Sequence, residues 1–188
     1  MKAEKQKDEE KRCLVDSRWA YRGRIVNLKL ETYQIGHKAK IAEIIHHSGA
    51  AVIVPIDEKG RILLIRQWRR AAGEIMLELP AGRLEENELP DLCASRELQE
   101  ETGFAAKTLT ALGGFFSAPG FCNEYLHLFL AADLYPSPLL ADDTEQIDLL
   151  PTPLSEAIRM VEENKIHDAK SIAGLFKYQL WKERCAKH

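Results

Sequence analysis

The sequence predicts an α+β fold, in which a mixed sheet is flanked by helices and preceded by a small antiparallel β extension. Short stretches of alternating polar and apolar residues occupy the first quarter of the chain, which is the period of half-exposed strands. Dense apolar runs and three patterns of helical spacing follow them. The 188 residues suffice for one domain with a small extension.

The first 48 residues divide into two parts. Residues 1–12 are almost all charged or polar, with mixed signs, so we expect a charged, flexible arm. From residue 13 to residue 48, alternating stretches such as 26–33 and 40–45 predict the antiparallel extension.

Residues 49–188 contain the elements of the main domain. Apolar runs at 50–56 and 62–65 predict two strands, joined by a polar loop that ends in Gly60. A third apolar run covers 75–80. The other predicted elements are a helix from about Pro90 to Thr102, strands near Thr108–Gly113, Glu124–Ala131 and Ile147–Leu150, and helices near Leu154–Asn164 and Asp168–Arg184.

Composition and charge exclude several classes of partner. A net charge of −3 gives no reason to expect binding to nucleic acid or to an anionic membrane. The four cysteines are far apart and form no Cys-x-x-Cys pair, which favours a reducing cytoplasm over a zinc or disulfide framework. The chain has neither a run of about 18 apolar residues nor an apolar signal core. We therefore expect a cytoplasmic protein.

The most distinctive stretch of the chain is residues 82–104, which concentrates carboxylates on a predicted helix. Glu97, Glu100 and Glu101 are three and four residues apart, so they share one face within about 100° of arc. Crowded carboxylates repel one another unless cations compensate. Oxygen ligands favour Mg²⁺ or Mn²⁺ over zinc or copper. We therefore expect this face to bind hard divalent cations.

A solvated acidic face is the alternative interpretation of the same residues. Cys93 and Ala94 lie on the same side of the helical wheel as the glutamates, whereas a solvent-facing stripe should lie opposite the apolar positions. Arg96 is expected to pair with Glu88 or Glu100 and so to hold the carboxylate rotamers.

These residues resemble the Nudix box, Gly-x5-Glu-x7-Arg-Glu-U-x-Glu-Glu-x-Gly-U with U apolar, at every defined position. The matching residues are Gly82, Glu88, Arg96, Glu97, Leu98, Glu100, Glu101, Gly103 and Phe104. The resemblance implies an α/β/α sandwich and hydrolysis of a nucleoside diphosphate linked to another moiety. It further implies Mg²⁺, with Mn²⁺ as a substitute, held by Glu97 and Glu101, with Glu100 nearby and the carbonyl of Ala81 as a further ligand.

The residues on either side of the box resemble the ADP-ribose pyrophosphatase subgroup. Pro119 follows Gly103 at the spacing of that subgroup, within a run that ends at Glu124, although an ordinary Pro-Gly turn also fits. Upstream, the apolar strand runs into Arg66-Gln67-Trp68-Arg69, which resembles the subgroup's phosphate-contacting strand end. A planar guanidinium binds phosphate oxygens in a bidentate way, and Arg69 is the first choice for that role.

Two further assignments rest on the same resemblance. Tyr21 is expected to stack on adenine across a homodimer, and a buried aromatic at a sheet edge is the alternative. The subgroup's general base is a glutamate in the late acidic loop, which aligns here with Asp143. Either Asp143 or Glu145 could orient the attacking water.

The resemblance thus implies an Mg²⁺-dependent enzyme that cleaves ADP-ribose to AMP and ribose 5-phosphate. Glu100 and Glu101 are expected catalytic residues, and Gly82, Glu88, Arg96 and Gly103 are structural members of the box. Another nucleoside diphosphate sugar, such as GDP-mannose, is the alternative substrate. A nucleotide-sensing module without catalysis usually lacks box glutamates, and all of them are present.

Overall fold

The computed structural model describes residues 2–139 and 146–186. Its contacts divide the chain into two compact units, which we call the N-terminal unit and the core unit. The N-terminal unit comprises Met1–His47 and Phe116–Glu124, and the core unit comprises Ser48–Phe115 and Tyr125–His188. Within the described ranges, no helix is both long and apolar enough to cross a membrane.

The N-terminal unit contains the antiparallel sheet that the alternating pattern predicts. Helix α1 spans Lys2–Cys13, and strands β1 (Leu14–Arg22), β2 (Asn27–Ile35) and β3 (Lys38–His46) pair in that order, each antiparallel to the next. Segment 116–124 is distant in sequence but belongs to this unit. Ile45, near the end of β3, forms an isolated parallel bridge with Cys122 of the segment.

Helix α1 differs from the flexible arm expected for residues 1–12. Its polar side chains pair one turn apart: Lys7 contacts Glu4 at 3.1 Å, and the Gln6 amide donates to Glu10 at 2.9 Å. Each such pair contributes about 0.2–0.5 kcal/mol to an isolated helix, which offsets the lack of buried residues. The mixed positive and negative charges, which predicted a flexible arm, are therefore also compatible with a solvent-exposed helix.

Over the residues that the structure describes, the core unit holds two sheets and three helices. Its elements are β4 (Ala50–Pro55), β5 (Arg61–Arg69), β6 (Glu74–Glu78), β7 (Ala81–Arg83), α2 (Pro90–Thr102), β8 (Phe104–Phe116), β9 (Tyr125–Pro136), β10 (Asp148–Pro153), α3 (Leu154–Glu162) and α4 (Ala169–Cys185). One sheet has the order β7-β4-β9-β8, with β4 and β9 parallel and β4 and β7 antiparallel. The other is antiparallel, in the order β10-β5-β6.

Strand β4 is the centre of the core because it is buried on both faces. Ala51 and Ile53 belong to one apolar cluster with residues of α2, and Val52 and Val54 belong to another that includes Leu175 of α4. Successive side chains of a strand point to opposite faces, so α2 and α4 cover opposite sides of the sheet. The predicted α+β fold, with a mixed sheet between helices, is confirmed.

Helix α2 begins and ends where the sequence predicts. Pro90 occupies its first turn, where a missing N–H costs nothing. Gly103 ends it in the left-handed conformation with φ of 76°, and its N–H donates to the carbonyl of Gln99. These two ends fix the register of every carboxylate between them.

Candidate active site in the core unit

The candidate site lies where β7 and α2 meet. Gly82 of β7 pairs with Ala51 of the central strand. The N–H of Ala81 donates to Oε2 of Glu101 at 2.8 Å, so the helix side chain is tied directly to the strand backbone. The carbonyl of Pro80 accepts from the N–H of Ile53 at 2.9 Å, which fixes the preceding residue as well. The strand and the helix therefore share a defined position.

Gly82 is required by the close approach of Glu97. A Cβ atom added at Gly82 would lie 1.7 Å from Cδ of Glu97, far inside any van der Waals contact. The carboxylate of Glu97 thus packs against bare backbone, and any other residue at this position would displace it. This contact gives the first glycine of the box a physical reason.

Arg96 binds three of the carboxylates at once. Its Nε donates to Glu88 at 2.9 Å, and its Nη1 donates to Glu97 at 2.5 Å and to Glu100 at 3.0 Å. The hydrogen bond with Glu88 is the main reason that the pKa of Arg96 lies above its ordinary value. The same bond lowers the pKa of Glu88. The expected pairing of Arg96 is confirmed with both predicted partners.

The acidic face of α2 is not a solvated surface. Glu101 is 9% exposed, and the side chain of Glu97 is 12% exposed. Glu100 is also partly buried. Arg96 and the Ala81 N–H offset the cost of holding these carboxylates away from water, which for an unpaired buried charge is several kcal/mol.

The donors at this site suit a hard divalent cation by chemistry. In the described part of the chain, no group of three or more His, Cys, Asp or Glu side chains is arranged around a single point as metal ligands. Glu88, Glu97 and Glu100 bind Arg96, and Glu101 binds the Ala81 N–H, so the four box carboxylates face protein donors. The donor atoms are all oxygen, and Mg²⁺ and Mn²⁺ prefer oxygen ligands.

Cys93 faces the same cluster but is chemically inert. It is fully buried, and its Sγ lies 3.5 Å from the carbonyl of Gly82. Burial, reinforced by the charge of Glu88, raises its pKa to about 12. A thiol that stays protonated is neither a nucleophile nor a good metal ligand.

Arg69, the residue expected to contact phosphate, forms a bidentate ion pair with Glu78. Its Nε and Nη2 donate to the two carboxylate oxygens at 2.8 and 2.7 Å. This hydrogen bonding raises the pKa of Arg69, and the charge of Glu101 contributes further, so the guanidinium lies within electrostatic reach of the box. Arg66, on the opposite face of β5, is exposed.

Sequence reasoning missed a buried ionic cluster behind Arg69. Glu78 is 1% exposed and accepts from Lys170 of α4 as well as from Arg69. Lys170 also contacts Asp168 at 2.8 Å, and Asp168 accepts from the N–H of Ser171 at the start of α4. A glutamate inside the apolar run 75–80 was the available signal, because charge is rarely buried without a partner.

Gln67, which the motif around Arg69 contains but to which no role was assigned, is also buried. It is 7% exposed, and its Nε2 has no hydrogen-bond partner among the residues described. Gln67 shares its side of β5 with Arg69, because the two are separated by one residue.

The N-terminal unit holds the other expected substrate residues. Tyr21 is 59% exposed, so the alternative of a buried aromatic is wrong. Pro119 lines a cavity of about 390 Å³ together with Tyr33 and Phe121, among other residues of this unit. Glu124 lies beside His47, with Oε1 at 3.4 Å from Nδ1.

The two candidates for the general base, Asp143 and Glu145, lie outside the described residues.

Comparison with known proteins places this site in a family. The family model described as "NUDIX domain" matches residues 45–175. ADP-ribose pyrophosphatase of Bacillus subtilis is 34% identical over 85% of this chain and 88% of its own length. Methanol dehydrogenase activator of Bacillus methanolicus is 33% identical, covering 89% and 91% of the two chains. GDP-mannose pyrophosphatase of Cronobacter sakazakii is 32% identical, covering 84% and 81%.

The fold is also similar to that of a solved structure. A crystal structure titled as an ADP compounds hydrolase superposes with a TM-score of 0.82 and 24% sequence identity, covering 93% of this chain and 96% of that one. At this identity the superposition establishes the fold. The α/β/α sandwich implied by the box is therefore confirmed.

Proposed function

The chain belongs to the Nudix family and is a pyrophosphohydrolase of that family, and we propose that its substrate is ADP-ribose, cleaved to AMP and ribose 5-phosphate. The observation that carries the proposal is the complete box, whose carboxylates are partly buried against Gly82 and Ala81. It is supported by similarity over most of the chain to a relative named ADP-ribose pyrophosphatase.

Nudix hydrolases generally use a divalent metal, and we assign Mg²⁺ here, with Mn²⁺ as a substitute. Glu97 and Glu101 would hold it, with Glu100 nearby and the carbonyl of Ala81 as a further ligand. When bound, such a cation withdraws charge from the pyrophosphate and lowers the pKa of a coordinated water. The hydrogen bond from the Ala81 N–H holds Oε2 of Glu101 and so restricts the orientation of its carboxylate.

The protein's own cations would bind the pyrophosphate. Arg69 is fixed by two hydrogen bonds to Glu78, and its side chain is still 38% exposed, so its charge is accessible to a ligand. Arg66, the other expected contact, is exposed on the opposite face of β5, so Arg69 is the principal candidate for this role. Fixed donors require little reorganisation when charge develops on the reacting phosphate.

Water activation would fall to carboxylates. Glu100 and Glu101 are the catalytic residues on α2, and Asp143 or Glu145 would orient the attacking water. In this division of roles, carboxylates of α2 would hold the cation that neutralises charge, and a carboxylate of the late loop would abstract the proton from water.

Substrate recognition would involve the N-terminal unit. Tyr21 presents an exposed ring that can stack on adenine, and Pro119 and Glu124 would contact the rest of the nucleotide sugar. We further propose a homodimer that shares these residues between subunits, and a cytoplasmic location, in keeping with four cysteines that form no disulfide.

GDP-mannose is the second candidate substrate, because a GDP-mannose pyrophosphatase is nearly as similar as the ADP-ribose enzyme. A non-catalytic nucleotide sensor is disfavoured by the complete set of box glutamates.

A substrate panel tests the proposal. ADP-ribose, GDP-mannose, UDP-glucose and diadenosine polyphosphates would be compared by kcat/KM with Mg²⁺. We expect ADP-ribose to have the highest kcat/KM and to yield AMP and ribose 5-phosphate. A higher value for GDP-mannose would move the assignment to that substrate, and no turnover of any member would contradict the proposal.

A further inference from the structure

We propose that Lys170 is a positioning residue for phosphate binding: from the start of α4 it holds the buried carboxylate of Glu78, which in turn fixes the guanidinium of Arg69. This inference rests on the proposed function, because it assumes that Arg69 binds the substrate's pyrophosphate. Lys170 itself would not touch the substrate.

The geometry of the cluster supports this role. Oε2 of Glu78 is shared, since it accepts from both Arg69 and Lys170. The side chain of Glu78 is 1% exposed and that of Lys170 is 13% exposed, whereas that of Arg69 is 38% exposed. The cluster thus has a closed end at Lys170 and an open end at Arg69. Only the open end can meet a ligand.

Charge balance gives Lys170 its effect. Arg69 and Lys170 together balance the two carboxylates of Glu78 and Asp168. Without Lys170, Arg69 would be the one cation of the cluster beside two carboxylates, and the net negative charge would weaken its attraction to phosphate. Asp168 in turn holds Lys170 at 2.8 Å and prevents it from swinging out to solvent.

The same end of α4 also anchors the chain that leads to the box. Oγ of Ser171 accepts from the N–H of Leu79 at 2.7 Å and donates to Asp168 at 2.6 Å. Leu79 is followed by Pro80 and then by Ala81, whose N–H binds Glu101. The start of α4 therefore fixes both Glu78 and Leu79.

The test compares Lys170→Met with Lys182→Met, an exposed lysine of the same helix. With ADP-ribose and saturating Mg²⁺, Lys170→Met should raise KM about tenfold and change kcat less than about threefold, an effect in the range seen for residues that do not contact the ligand. Lys170→Arg keeps the charge and should recover KM to within about threefold of wild type. Lys182→Met should change neither constant.

A double-mutant cycle separates this role from general destabilisation. If Lys170 acts through Arg69, Lys170→Met should raise KM less than about twofold in an Arg69→Met background. Multiplicative effects of the two substitutions, or an unchanged KM in Lys170→Met, would overturn the proposal. Should Lys170→Met not fold, Lys170→Gln replaces it in the same cycle.

Failure of the proposed function has a different signature. If wild type turns over another nucleoside diphosphate sugar instead of ADP-ribose, the substrate assignment fails, and the cycle is measured with that sugar. The role of Lys170 is then decided by the same KM ratios.

Discussion

At the scale of single residues, several box positions have a contact that explains their chemistry. Gly82 leaves room for the carboxylate of Glu97, and Arg96 donates hydrogen bonds to Glu88, Glu97 and Glu100. The pairing of Arg96 follows from spacing along one loop and one helix, so the sequence could predict it, whereas the contact between Gly82 and Glu97 joins a strand to a helix and required the tertiary structure.

Glu101→Gln tests the central residue of the box. The amide keeps the size of the side chain and removes its charge, so we expect kcat to fall at least about 10²-fold, the loss typical of one key electrostatic group. Turnover of ADP-ribose and the melting temperature would be measured together. Glu86→Gln, an exposed acid of the preceding loop, is the matched control. Near-normal turnover in Glu101→Gln would refute the assignment.

Arg69 shows where residue-level prediction stopped. Its partner Glu78 lies on the neighbouring strand, and the second cation on that carboxylate comes from a helix near the other end of the chain. Such pairs depend on strand register and helix docking, which no local pattern encodes. The sequence predicted that Arg69 contacts phosphate, but the ionic cluster around Arg69 could be identified only from the tertiary structure.

At the scale of elements, helix α2 was predictable and the strands were less so. Pro90 and Gly103 mark the ends of α2 by backbone chemistry. The strand predicted to end at Gly113 instead continues to Phe116, since Gly113 adopts a φ of 87° within the strand rather than at its end. A glycine inside a strand often marks an irregularity.

The start of α4 has a predictable response to acid. Burial raises the pKa of Asp168, but Lys170 and Ser171 lower it by more, so it lies below its ordinary value. Burial also raises the pKa of Glu78, but Arg69 and Lys170 lower it by more, so this pKa too lies below its ordinary value. Depressed carboxylate pKa values contribute stability that is present above the unfolded values, about 3.9 and 4.3, and is lost as pH falls through the folded values.

Lys170→Met should therefore reduce the acid dependence of stability. At about pH 7 we expect the free energy of unfolding to fall by roughly 1–3 kcal/mol, the cost of leaving a buried charge with one partner fewer. Below about pH 4 the difference from wild type should shrink, because the carboxylates are being protonated in both proteins. Urea unfolding across this range measures both effects, with Lys182→Met as control. A difference independent of pH would contradict the assignment.

At the scale of the whole molecule, the N-terminal unit has several exposed large apolar side chains. Strand β1 is exposed along its whole length, and Val15, Tyr21, Ile35 and Ile41 are each more than half exposed. Large exposed apolar patches mark interaction sites. The sequence predicted the sheet, but not that segment 116–124 belongs to the same unit, because that association joins distant parts of the chain.

The proposed homodimer gives that surface a partner. We expect light scattering to show a dimer at micromolar concentration, and Ile41→Lys to shift it towards monomer by placing a charge on an apolar contact. Leu180→Lys, which alters an equally exposed apolar residue of α4, should leave the dimer intact. A monomeric wild type would rule out a site shared between subunits.

The most direct test of the whole account is calorimetric titration of Mg²⁺ into the protein, with and without a non-hydrolysable ADP-ribose analogue. We expect wild type to bind Mg²⁺ saturably, and more tightly when the analogue is present. Glu97→Gln and Glu101→Gln should bind Mg²⁺ more weakly, whereas Glu86→Gln should bind it as wild type does. Absence of uptake by wild type under both conditions would contradict it.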